Sequence, residues 1–252
     1  MENFFLNELN DYVNKTIETF HKSRINMISG LKLNNLISKN PYLFKAKNIT
    51  LASELIESTL TAFLSSSEEK MFGDFLESLA LYVAKKCVSA HKSTAQGIDL
   101  EFDNEGIYYI VSVKSGPRWG NSSQLKKLSQ DFNLAEIRLK QSSHVKSVQK
   151  ILGICYGKTK DREMKAGYKK IMGQSFWAFI SNDPNLYIDI IEPVGYRAKY
   201  HDDEFNTEKS KIINLLTREF IEKFCDLDGN IDWRKLIKAN SGNLDIIEAT
   251  KN

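Results

Sequence analysis

The tightest constraint in this chain is Gly97-Ile98-Asp99-Leu100-Glu101-Phe102 followed by Tyr108-Tyr109-Ile110-Val111-Ser112-Val113-Lys114-Ser115-Gly116. Both runs are rich in β-branched and aromatic residues, and Asp103-Asn104-Glu105-Gly106 between them is a turn signal. The pattern predicts a β-hairpin. With the turn centred on Asn104-Glu105-Gly106, Glu101 lies opposite Ile110 and Asp99 roughly opposite Ser112. Side chains alternate along a strand, so Asp99, Ser112 and Lys114 share a face. A carboxylate and an ammonium then meet at the open end of the hairpin, where a substrate can reach them.

The flanks read as helices and one further strand. Residues 1–64 are helical, with Phe5, Leu9, Tyr12, Val13, Ile17 and Phe20 at helical spacing and a break at Asn40-Pro41. A helix through Leu51, Leu55, Ile56, Leu60 and Phe63 ends near Leu64. Ser65-Ser66-Ser67-Glu68-Glu69 carries a capping box and starts the next helix, over about 67–90. That helix is apolar on most sides, so it is buried on most sides. Glu77 shares a stripe with Leu81, Ala84 and Val88 and needs a partner there. After the hairpin, Pro117-Arg118-Trp119-Gly120-Asn121 is a loop, and Asn121 or Ser122 caps a helix through Leu125, Leu128, Phe132, Ala135 and Leu139. A buried strand over 148–156 follows, which predicts a right-handed crossover to a parallel neighbour. Residues 157–170 read as a basic loop, 172–198 as helix interrupted at Pro184 and Pro193, 206–225 as an amphipathic helix, and 231–239 as a last short helix.

Composition narrows the class. Apolar residues make up 42%, enough for a core, and no apolar run of about 18 residues is present, so no membrane partner is expected. Met1-Glu2-Asn3-Phe4 lacks the pattern of a secretory signal. Three cysteines, Cys87, Cys155 and Cys225, are widely spaced and form no zinc pattern. Reduced thiols in a cytoplasmic protein fit them. The net charge is only +3, so a polyanion would be held by local basic patches.

The acidic residue at the head of a hairpin, the lysine just past a polar position on the next strand, and the order helix–strand–strand–helix–strand resemble the PD-(D/E)XK nucleases. Within them the chain looks most like the type II restriction endonucleases: Gly73-Asp74-Phe75-Leu76-Glu77 carries the glycine-to-glutamate spacing of several such families, and over 40–48, 65–77, 97–102 and 112–124 the chain resembles the PmeII-type group. The likeness covers roughly residues 40–240. It implies an α/β (α+β mixed) fold, with a restriction-endonuclease-like core of a mixed β-sheet flanked by helices and added N- and C-terminal helices. It also implies one domain over 1–252: a helical N-terminal extension at 1–64, a catalytic core at 65–156, and a basic loop and C-terminal helices at 157–252. Two positions depart from the pattern. Ile98 stands where the family name has proline, and Ser112 replaces the usual second carboxylate.

The resemblance implies Mg²⁺-dependent, sequence-specific hydrolysis of double-stranded DNA by a homodimer, with no nucleotide cofactor. The catalytic candidates are Asp99, Lys114, Glu77 and Ser112. A hydroxyl is a poor Mg²⁺ ligand beside a carboxylate, so the metal set is Asp99 with Glu77 first, Glu101 next and Asp131 last. Arg118, Trp119, Asn121, Ser122, Ser123, Gln124, Lys158, Lys160, Arg162 and Lys165 are the DNA-binding candidates, as groups that contact phosphates or base edges. Other readings stay open. Asp99 and Lys114 could form only a cross-strand ion pair, worth ~0.2–1 kcal/mol. The chain could be a structure-selective repair nuclease of the same fold, or a DNA-binding module that has lost catalysis.

Overall fold

The computed structural model describes residues 2–142, 145, 147–158, 162–164 and 166–243. The chain gathers into two compact units, one of Met1–Phe20 with Lys70–Tyr196 and one of His21–Glu69 with Arg197–Asn252. Helices α1 (Glu2–Ser29) and α4 (Ala52–Cys87) contribute residues to both.

The first unit is built on a six-stranded mixed sheet in the order β1-β2-β3-β4-β6-β5. Strands β2 (Leu100–Asn104) and β3 (Ile107–Lys114) form the expected hairpin, with Glu101 opposite Ile110. β1 (His91–Lys92) adds to its outer edge, antiparallel to β2. Helix α5 (Ser122–Ser142) then crosses over to β4 (Val148–Ile154), which runs parallel to β3 as the strand–helix–strand order predicts. Alternation sorts the side chains. Leu100, Phe102, Val111 and Val113 turn to one face and pack with Leu9, Val13 and Ile17 of α1 and Phe75, Leu79 and Val83 of α4. Ile110, Leu152 and Ile154 turn to the other and pack with Leu128, Phe132 and Ala135 of α5. Two faces buried by helices explain why the second half of β4, Ile151-Leu152-Gly153-Ile154, is buried at every position.

The basic stretch 157–170 is not a plain loop. It contains β5 (Arg162–Met164) and leads into β6 (Tyr168–Met172), paired parallel to β4. The strand was hidden because Lys169 and Lys170 interrupt its apolar pattern. Tyr168, Ile171 and Met172 are nonetheless buried. The following segment breaks near Pro184 as expected, giving α6 (Gln174–Ser181), α7 (Leu186–Asp189) and α8 (Ile191–Val194). Pro193 lies inside α8 instead of ending a helix; it stands in the first turn, where its missing N–H costs little.

The second unit is helical. It holds α2 (Leu33–Ile37), α3 (Pro41–Ala46), α9 (Ala198–Phe224) and α10 (Trp233–Ser241). Asn40 caps α3 by accepting from the N–H groups of Tyr42 and Leu43, with Pro41 in the first turn. Asp232 caps α10, which therefore starts slightly later than its periodicity predicts. α9 starts well before residue 206, and its buried His201 and Phe205 belong to that added part. A core of Leu55, Ile56 and Leu60 from α4 with Leu216, Phe220 and Phe224 from α9 holds these helices together.

The expected helix boundary at residues 64–67 is absent. α4 runs unbroken from Ala52 to Cys87. The serines that resemble a cap are absorbed: Ser66 donates its hydroxyl back to the Ala62 carbonyl at 3.2 Å. Leu60 and Leu64 are buried on the helix just before this point, so tertiary packing overrides the local capping signal. Because Ser66 is exposed, Ser66→Pro tests this cleanly. It should destabilise the protein by about 3 kcal/mol in a urea titration and lower its helical circular dichroism. A true linker there would tolerate the proline.

Candidate active site

The hairpin ladder continues one residue beyond β2, where the Asp99 N–H donates to the Val111 carbonyl at 2.9 Å. That fixes Asp99 beside the end of β3. One of its carboxylate oxygens, Oδ2, accepts from the Val113 N–H at 2.5 Å, from the Ser112 hydroxyl at 3.3 Å and from Lys114 Nζ at 3.5 Å. Lys114 keeps 23% of its side chain exposed and Asp99 19%, so the pair stands at the surface end of a packed sheet. Ser112 is fully buried and serves as a hydrogen-bond donor to the carboxylate. Val113 had no signature in the sequence, because a main-chain donor leaves no mark on residue type.

Helix α4 brings Glu77 to the same place. Its carboxyl comes near that of Asp99, and Lys114 lies close enough to act on it. Burial raises the Glu77 carboxyl above the usual carboxylate range, the Asp99 charge adds to the rise, and Lys114 opposes it. α4 runs close to the segment after β3 at Gly73, one turn earlier: a Cβ there would stand 3.3 Å from the Ser115 hydroxyl, which would have to give way slightly. Gly97 serves the other flank. It adopts φ +76°, and a Cβ would meet an Asp131 carboxylate oxygen at 2.5 Å. Cys155, next to the end of β4, is buried. Its thiol is pushed up to about 12 by burial, with Glu77 as the next cause. It is an inert neighbour of the pair.

Glu101 lies apart from this pair. It is 3% exposed and lies farther along β2. It accepts from Ser93 Oγ, from the Tyr108 hydroxyl at 3.0 Å and from Arg138 of α5 at 2.9 Å. Burial and this bond to Glu101 push the Tyr108 hydroxyl up to about 12. With its oxygens engaged by three donors, Glu101 ties β2 to the segment just after β1, to β3 and to α5. Asp131 pairs with Lys127 at 3.0 Å across one helical turn. It lines a cavity of about 320 Å³ together with Ser112, Lys114, Trp119, Ser123 and Gln124.

The DNA-binding candidates divide. Arg118, Ser122, Ser123 and Lys158 are exposed. Asn121 and Gln124 are exposed too, but they are engaged with each other's main chain. The Asn121 N–H donates to Gln124 Oε1 at 2.9 Å, and the Gln124 N–H donates to Asn121 Oδ1 at 3.0 Å. This reciprocal capping box starts α5. The cap engages Gln124 Oε1 and Asn121 Oδ1. Trp119 is part-buried, with its ring 5.5 Å from Lys114 Nζ. Lys160 and Lys165 lie outside the described residues. Arg162 is placed in β5 by its backbone alone.

Two stability predictions follow from these contacts. Arg138→Ala leaves the buried Glu101 charge with neutral donors only, and should cost about 2–3 kcal/mol in a denaturant titration. Glu77→Gln, without divalent cations, should raise the melting temperature at pH 7. The folded carboxyl titrates above its ordinary value of 4.5, so the wild type loses stability as pH rises through that window. Below it both forms are neutral and the gain should vanish. An equal gain at low pH would place its cause in packing.

The family model described as type II restriction endonuclease EcoO109I matches residues 7–202. No individual curated protein matches the chain.

Proposed function

The chain belongs to the EcoO109I family of type II restriction endonucleases, and on that premise we propose that it hydrolyses double-stranded DNA at a specific sequence, using Mg²⁺ at Asp99 and Glu77. The observation that carries this reading is the meeting of two carboxyl groups under one lysine at the open end of the β2–β3 hairpin. The arrangement supports assignment to the PD-(D/E)XK superfamily, with serine in place of its second strand carboxylate and a likeness to the PmeII-type group.

The donor set suits magnesium. Among the described residues no three His, Cys, Asp or Glu side chains gather as a ligand set. Mg²⁺ needs only one or two carboxylates, because it keeps several waters. The raised Glu77 carboxyl supports the same fit, since a cation beside both carboxyls would offset the burial and the Asp99 charge that raise it. When bound, the ion would neutralise phosphate charge and lower the pKa of a water. Asp99, fixed by the Val113 N–H and Ser112, would hold one side of the scissile phosphate site. Lys114 would face the charge that develops on the phosphoryl oxygens and help orient the attacking water. Arg118 and Lys158, both exposed, would take neighbouring phosphates of the backbone.

A homodimer supplies two such sites for two strands, and two-fold symmetry suits a palindromic target. We assign dimer contacts and part of the recognition to the helical N- and C-terminal additions to the core. No helix among the described residues is long and apolar enough to cross a membrane. A cytoplasmic enzyme without a nucleotide cofactor is the reading we carry forward.

Digestion of plasmid DNA with Mg²⁺ should give discrete bands. Smears or nicks would favour a structure-selective repair nuclease, and intact DNA a binding module. Asp99→Ala, Glu77→Gln and Lys114→Ala should each abolish cleavage while DNA binding persists. Glu101→Gln should act through stability. Cleavage at wild-type rates by Asp99→Ala or Lys114→Ala would overturn the assignment of the site. Lys158→Ala should weaken binding to all sequences alike and lower the salt slope by about 0.9 if one phosphate contact is lost.

A further inference from the structure

Lys114 has two neighbours of different kinds. Asp99 Oδ2 lies 3.5 Å from its ammonium, and the Trp119 ring centroid lies 5.5 Å from it. The indole belongs to the loop that leaves β3. That loop turns back on itself, with the Trp119 N–H donating to the Gly116 carbonyl at 3.2 Å. The ring packs against the α5-side core, so its position is set by the protein interior. It also walls the cavity of about 320 Å³ that Ser112 and Lys114 line.

A lysine on a four-carbon stem beside two carboxyl groups has an obvious alternative resting place. It can collapse fully onto Asp99 and Glu77 and leave the phosphate side. The Asp99 contact at 3.5 Å is loose for an ion pair that has no competitor. An aromatic face within about 6 Å attracts an ammonium and is strongest for tryptophan. It does so without a charge that would compete for the phosphate.

We propose that Trp119 is a positioning residue: its indole face holds the Lys114 ammonium off the Asp99–Glu77 pair, so that the lysine is available to the scissile phosphate. This rests on the nuclease reading for its consequence, but the contact itself is independent of it. Its role is then not to contact DNA, as its place in a polar loop suggests.

Trp119→Leu and Trp119→Phe separate the roles. Trp119→Leu should lower the single-turnover cleavage rate at saturating DNA roughly three- to thirty-fold, the range a cation–π contact of this kind supplies. Trp119→Phe should recover most of that loss. DNA affinity measured with Ca²⁺ should be unchanged in both. In the DNA-free protein the Lys114 ε-methylene proton resonances, assigned through Lys114→Arg, should carry a ring-current shift that Trp119→Leu removes. A wild-type rate in Trp119→Leu, a loss of affinity with the rate intact, or the absence of that shift would overturn the proposal.

If Trp119→Leu fails to fold, fluorinated tryptophans decide. Progressive ring fluorination should slow cleavage in the wild type and leave the Trp119→Phe background, which retains Trp177 and Trp233, unaffected. Equal slowing in both backgrounds, or none in either, would overturn it. Lys114→Ala is the control: cleavage by that variant would refute the active-site reading, and the ring-current shift would still decide whether the indole holds the lysine.

Discussion

The bond from the Val113 main chain to the Asp99 carboxylate is the contact on which the site depends. Two carboxyl groups beside each other repel, and here they are pressed together by elements that are stable for other reasons. The hairpin register puts Asp99 at the end of β3, and the packed face of α4 puts Glu77 there as well. The energy cost of holding them together is what a divalent cation would remove.

Much of this site was legible in the sequence. A turn signal between two β-rich runs sets the register, and a period of two then fixes which side chains share a face. Asp99, Ser112 and Lys114 follow from those two rules. Glu77 follows from a helix too apolar to be exposed on any broad face, which forces its carboxyl toward packed structure. The crossover from β3 to β4 was equally legible, because a parallel pair needs a long connection and α5 supplies it.

What was not legible has physical causes. The serines at 65–67 look like a cap, and only the burial of Leu60 and Leu64 shows that the helix passes through them. β6 carries two lysines in five residues, and its pairing with β4 decides its structure where pattern does not. Glu101 was a fair metal candidate by spacing alone. Arg138, far along the chain on α5, claims it instead, and no local rule forecasts such a long-range partner. Asn121 and Gln124 look like base-reading groups, yet a helix start competes for the same oxygens. Polar side chains have several possible partners, and local geometry settles which one they keep.

The central claim is that Asp99 and Glu77 together form one divalent-cation site. Crystals soaked in Mn²⁺, a heavier substitute for Mg²⁺ with a strong anomalous signal, test it most directly. An anomalous peak is expected between the two carboxylates, bonded to an oxygen of each and lost in Asp99→Ala. A peak bonded to Glu101 or Asp131, with none at Asp99 and Glu77, would contradict it.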